Sequence, residues 1–128
     1  MPYLTFNIRV TSDVGGQPAI IFEYAARLFL TEAQLLALQK AGGDGAGVYT
    51  EIPTVNEIPA LNAFILTSDQ PINLKFASVS AADGVIALKN NSLVAIINGN
   101  IAAGANLNAT INNTGANPAN LGGVAGGT

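Results

Sequence analysis

The side chains with most chemical potential in this chain are eight carboxylates: Asp13, Asp44, Asp69, Asp83, Glu23, Glu32, Glu51 and Glu57. Glu51 and Glu57 are the only closely spaced glutamates, each opening a Glu-Ile-Pro triplet. A glycosidase needs two such groups across a cleft with pKa values driven apart. It usually also offers large aromatic platforms to the sugar, and this chain has no Trp. A solvated edge is therefore the expected setting of the pair. Each of the four aspartates sits beside turn residues, where Asp commonly accepts hydrogen bonds from nearby backbone. Calcium would need several of these oxygens to converge, and no pair lies within a ligand loop. Residues 42–47 (GGDGAG) have glycine spacing suggestive of a phosphate cradle, but such a loop must lead into a helix N-terminus. No His and no Cys are present, which excludes Ser-His-Asp triads, thiol catalysis, disulfides and Cys- or His-ligated zinc. The chain is expected to be no enzyme, with no catalytic residues, no cofactor and no metal.

The elements around these residues read mostly as strands. Residues 2–10 alternate, with Leu4, Phe6, Ile8 and Val10 against Thr5, Asn7 and Arg9, the period of a half-buried strand. A Gly15-Gly16 turn leads to a mostly apolar segment over 19–30 that fits a buried strand or a helix, with strand favoured because it is rich in residues that prefer pleated surfaces. Thr31 and Gln34 form a capping box, Leu35, Leu36 and Leu38 share an apolar face, and Gly42 stands at a C-terminal stop. These signals predict one short α-helix at about 32–41. The loop 42–47 is expected to be flexible. Residues 48–60, with two prolines that remove ladder donors, read as an edge or extended arm. Short strands follow at 63–67, 72–76, 85–89, 93–97 and 107–112, punctuated by Asp83-Gly84, Asn90-Asn91 and Asn98-Gly99 turns. Residues 114–128 are expected to be a loose tail, with a last short strand in 119–128 (ANLGGVAGGT) as the alternative. All aromatics except Tyr3 and Tyr49 fall in apolar strands and are expected in the core. The fold class predicted is mainly β, an antiparallel β-sandwich or jelly-roll-like domain with one short helix, in a single domain over 1–128.

Charge is sparse and uneven. Charged residues make up 10% of the chain, against about 25% in ordinary soluble domains. The net charge of −3 with five basic residues argues against nucleic-acid binding. From Asn90 onward there is no charged side chain at all, while ten of the fourteen asparagines lie there. Amides cost far less to desolvate than ions, so this stretch is expected to lie against other protein. No secretory signal is expected from the N-terminal sequence, and no apolar run approaches the roughly 18 residues a membrane helix requires.

Three stretches, LTSDQPINLKF (66–76), GVIALKNNSLVAIINGN (84–100) and LNATINNTGANPANLGGVAGGT (107–128), together resemble small virion structural proteins of tailed bacteriophages. The resemblance covers the C-terminal half and contains no catalytic motif. It implies a non-enzymatic capsid decoration (cement) protein on the virion surface, made in the host cytoplasm. Its implied partners are itself, as a dimer or trimer, and the major capsid protein, with no nucleic acid and no membrane. The alternative is a tail or fibre accessory module that binds a host receptor or glycan. For assembly, the first strand and the 107–112 strand are expected to carry the interface through Tyr3, Phe6, Ile8, Leu107, Asn108, Ile111 and Asn112.

Overall fold

The computed structural model describes residues 3–30, 32–52, 58, 61–76, 85–99 and 109–127. Its elements are strands β1 (Tyr3–Ser12), β2 (Ala19–Phe29), β3 (Glu32–Lys40), β4 (Thr50–Glu51), β5 (Leu61–Ser68), β6 (Ile72–Phe76), β7 (Val85–Leu88), β8 (Ser92–Ile96), β9 (Ala109–Asn112) and β10 (Ala119–Gly127), with one 3-10 turn at Val14–Gly16. Two four-stranded sheets face each other. Sheet I runs β3-β10-β5-β8 and sheet II runs β4-β9-β6-β7. Every pairing is antiparallel. The mainly β antiparallel sandwich predicted from the sequence is the architecture found.

The layers are held by one apolar core. Leu36, Phe64, Leu66, Leu121 and Ala125 project from sheet I, and Ile72, Leu74, Ala109 and Ile111 from sheet II. Phe76 meets Phe64 edge-on at 5.1 Å between ring centroids, a favoured aromatic geometry. Ile52 and Ile58, the isoleucines of the two Glu-Ile-Pro triplets, are buried in the same core. The Glu51 end of that segment forms β4 at the edge of sheet II, consistent with the edge position its prolines require.

The expected helix at 32–41 is a strand. β3 pairs with β10 from Glu32↔Gly127 to Lys40↔Ala119. Leu36 enters the core while Leu35 and Ala37 point outward, a period of two. The capping box, of which Thr31 lies outside the described residues, and the helix-favouring composition describe fewer than three turns, which are marginal without packing. A long partner strand at the far end of the chain overrides them, and local sequence carries no trace of that partner.

That partner is the segment expected to be a loose tail. Residues 119–127 form β10, hydrogen-bonded to β3 on one side and β5 on the other, in the middle of sheet I. Its glycines let neighbouring backbones approach. Gly123 has a φ of +153° and a Cβ there would strike the Ile65 carbonyl, so only glycine fits.

β1 and β2 form a separate two-stranded sheet, paired from Tyr3↔Phe29 to Ser12↔Ala19. The ten residues of β1 give this arm strands as long as any in the body. Its base lies on the outer surface of sheet I. Phe6 and Leu30 pack with Ala63, joined by Leu4, Leu28, Ile65, Ile97 and Val124. Among the described residues no helix is long and apolar enough to cross a membrane.

Candidate assembly surface

The strand period sorts the arm into two unlike faces. Rows Leu4/Leu28, Phe6/Ala26, Ile8/Tyr24 and Val10/Phe22 make one face wholly apolar or aromatic. Rows Thr5/Arg27, Asn7/Ala25 and Arg9/Glu23 make the other mostly polar. On the polar side Arg9 Nε donates to Glu23 Oε1 at 3.1 Å, an exposed pair of small energetic weight. Arg27 lies 4.0 Å from the Tyr3 ring centroid, and Tyr3 leans on Phe29 at 5.2 Å.

Exposure rises along the apolar face. Phe6 is 6% exposed, Ile8 and Tyr24 are intermediate, and Val10 and Phe22 reach 43% and 53%. A register shift at Val10/Thr11 then leaves Ile21 without a cross-strand partner, 64% exposed, and pairs the exposed Ile20 with Thr11 on the side of Arg9 and Glu23, as an extra residue in one strand does. The body therefore covers the proximal half of an apolar ribbon and leaves the distal half open. Phe22 and Phe29, expected in the core, are exposed on this arm.

A second open apolar area lies on the outer surface of sheet I. The register aligns Leu35, Val124, Ile65 and Ala95 in one row and Ala37, Gly122, Thr67 and Leu93 in the next. The arm base covers Val124 and Ile65. Leu35 and Leu93, at the two ends, remain 84% and 61% exposed. Neither row contains an ionisable side chain. The surface turns polar one row on, where Gln39 donates to Asn120 and Asn120 donates to Asp69.

The residues assigned to assembly from the sequence separate. Tyr3 is exposed at the arm base, Ile8 is half-covered in mid-arm, and Phe6 is the buried anchor that fixes the arm to the body. Leu107 and Asn108 lie outside the described residues. Ile111 and Asn112 are buried in β9, which corrects their assignment to a surface. Asn112 Nδ2 donates to the carbonyls of Gly45 and Val48 at 3.0 and 2.7 Å, and its Oδ1 accepts from Asn73.

Asn113, next along, does similar work. Its Nδ2 donates to the carbonyls of Lys40 and Asn117, its Oδ1 accepts from Gly115 N, and its own N donates to Asp44. The charge-free end of the chain is thus covered substantially by its own fold. These amides satisfy backbone groups that would otherwise be buried unpaired. Main-chain bonds also pin the glycine loop expected to be flexible: the amides of Gly43 and Asp44 donate to the carbonyls of Gly115 and Asn113 at 2.7 and 2.9 Å.

The carboxylates are occupied in the same way. Asp44 holds Lys40 Nζ at 2.7 Å and accepts from Asn113 N, which keeps its carboxyl below the ordinary aspartate range, because both contacts favour the ionised form. Asp69 accepts from the backbone and side-chain nitrogens of Asn120, with the same direction of shift. Asp83 and Glu57 lie outside the described residues. Among the described residues no group of three or more His, Cys, Asp or Glu converges. A concavity of about 590 Å³ is lined by Asn7, Ile8, Arg9, Glu23, Tyr24 and Ala25, all on the arm. Lys75 is buried with its ammonium 4.0 Å from the Tyr49 ring centroid, a structural cation–π contact. The arm is foreshadowed by its strict alternation. The gradient along it is invisible in sequence, because it depends on where the body ends. No family model, curated protein or solved structure matches the chain.

Proposed function

We propose that this protein is a non-enzymatic assembly subunit of a virion, a capsid decoration protein that works as a homo-oligomer and reinforces joints between major capsid proteins. The observation behind this reading is the amphipathic arm, anchored through Phe6, open over Val10 and Phe22 on its apolar face and with Ile20 and Ile21 exposed near its tip. Soluble monomers rarely expose contiguous apolar surface without using it, and such surface commonly marks a protein contact. A rigid sandwich with a projecting ribbon suits a subunit that spans neighbouring chains, and repeated copies add avidity. The likeness of 66–76, 84–100 and 107–128 to tailed-phage structural proteins supports the virion setting.

Quantitative mass spectrometry of particles produced from the genome that encodes the chain tests this proposal. The chain is expected in fixed, many-copy ratio to the major capsid protein, and particles made without it are expected to disrupt at lower temperature. Particles that lack the chain, or that keep full stability without it, contradict the proposal.

A further inference from the structure

We infer that Asn98 is a latent self-modification site: its side-chain amide can be lost by cyclisation onto the nitrogen of Gly99, and a clamp that Asn62 places on Gly99 holds that reaction off while β5 and β8 stay paired. The inference is independent of the assembly role proposed above.

The chemistry belongs to the Asn-Gly pair itself. Once its proton passes to a solvent base, the Gly99 nitrogen attacks Cγ of Asn98. The new N–C bond closes a succinimide ring, and the Cγ–Nδ2 bond breaks to release ammonia. Water then opens the ring at either carbonyl and leaves aspartate or isoaspartate in place of Asn98. Water is consumed and ammonia released. The attack is intramolecular, so its rate follows how freely the nitrogen reaches Cγ. Glycine, without a Cβ, allows that approach most readily. Of the fourteen asparagines only Asn98 precedes a glycine.

The fold requires this pair and restrains it. Asn98 is exposed at a φ of +56°, a left-handed conformation that Asn tolerates better than most residues. A Cβ on Gly99 would come within 2.8 Å of Ile96 Cγ2, so glycine is the residue that fits. Asn62, near the start of β5, holds Gly99 at both of its backbone polar groups. Gly99 N donates to Asn62 O at 3.0 Å, and Asn62 Nδ2 donates to Gly99 O at 3.0 Å. The first bond engages the N–H whose proton must leave. The second restrains the rotation that would bring the nitrogen towards Asn98 Cγ. Both lie just past the Phe64↔Ile96 end of the β5–β8 ladder, and β8 is an edge strand of sheet I. Local opening of that strand end releases the nitrogen without unfolding the body. The product carries a carboxylate into a stretch that has no charged side chain from Asn90 onward.

Peptide-mapping mass spectrometry of the full chain, incubated in mildly alkaline buffer with and without denaturing guanidinium chloride, tests this. Asn98 is expected to be the fastest-modified asparagine in the denatured chain and to react at least tenfold more slowly in the folded one. Asn62→Ala removes the Nδ2 donor and is expected to speed the reaction at least threefold in the folded chain, with the denatured rate unchanged. Far-ultraviolet circular dichroism checks that the variant folds. Hydrogen exchange at the Gly99 amide of the wild type is the second measurement, and it decides the matter if the variant does not fold. That amide is expected to be protected, and its exchange and the modification of Asn98 are expected to rise in parallel as sub-denaturing guanidinium is added. Equal rates in the folded and denatured chain overturn the inference, as does an unprotected Gly99 amide. So does another asparagine reacting first in the denatured chain, or a folded Asn62→Ala variant that reacts no faster than the wild type.

Discussion

Phe6 and Phe22 lie on the same face of the same hairpin, two same-face rows apart, yet Phe6 is 6% exposed and Phe22 53%. One aromatic ties the arm to its own body and the other extends past that cover. Two-stranded ribbons are marginal in water, so the arm's order depends on the anchor. Phe6→Ala is expected to cost about 3–5 kcal/mol, read as a lower urea midpoint together with rapid proteolysis of residues 3–29. Phe22→Ala is expected to change the stability of the dilute, dissociated chain by less than about 1 kcal/mol.

Gly123 stands where β10 passes β5, at a φ of +153° and with the Ile65 carbonyl in the place of a Cβ. Gly123→Ala must both strain the backbone and push two central strands apart. A loss of more than about 3 kcal/mol is expected, measurable as a large fall in melting temperature or as failure to recover soluble protein. Gly122, whose Cβ would meet the Thr67 hydroxyl at 3.5 Å, is the control and should accept Ala far better.

Asn113 joins the end of β3, the glycine loop and the 113–117 turn through one buried amide. Asn113→Ala leaves the carbonyls of Lys40 and Asn117 without that donor, a penalty of about 1–3 kcal/mol for each buried group left unpaired. Limited proteolysis is expected to open residues 42–47 in the variant while the wild-type loop resists.

Asp44 gives the same loop an acid limit. Its hydrogen-bonded contact with Lys40, then that with Asn113 N, lowers its pKa in the folded chain below the ordinary value of 3.8. A depressed folded pKa means stability present above the unfolded value and lost as pH falls through the folded one. Melting temperature should therefore drop as pH is lowered below about 4, and Asp44→Asn should flatten that limb while lowering stability near pH 7.

How far the sequence announces this structure differs by element. Strands with strict alternation or with a turn dipeptide at their ends are legible: residues 72–76 match β6 throughout, and Asn91 and Asn98 take the positive φ their turns require. β3 is not legible, because Leu, Ala, Gln and Lys favour a helix and the strand that overrides them lies at the other end of the chain. β10 reads either as a tail or as a short last strand, because glycine signals disorder locally, yet in mid-sheet it allows close backbone approach. After Asn90, residues 109–113 are buried by the chain's own fold while 114–118 are exposed, so the absence of charge does not by itself mark a surface covered by another protein. Of the assembly residues, Tyr3 and Ile8 sit on the arm while Ile111 and Asn112 hold the interior together. Alternation shows which side of a strand is apolar, but not whether that side meets its own body or another molecule.

Hydrogen–deuterium exchange of the arm as a function of protein concentration reads the proposed contact at its own backbone. Residues 8–12 and 19–24 are expected to exchange quickly in dilute solution and to become protected as copies associate. Exchange across these segments that stays the same from dilute to concentrated solution would contradict the arm's role as an assembly surface.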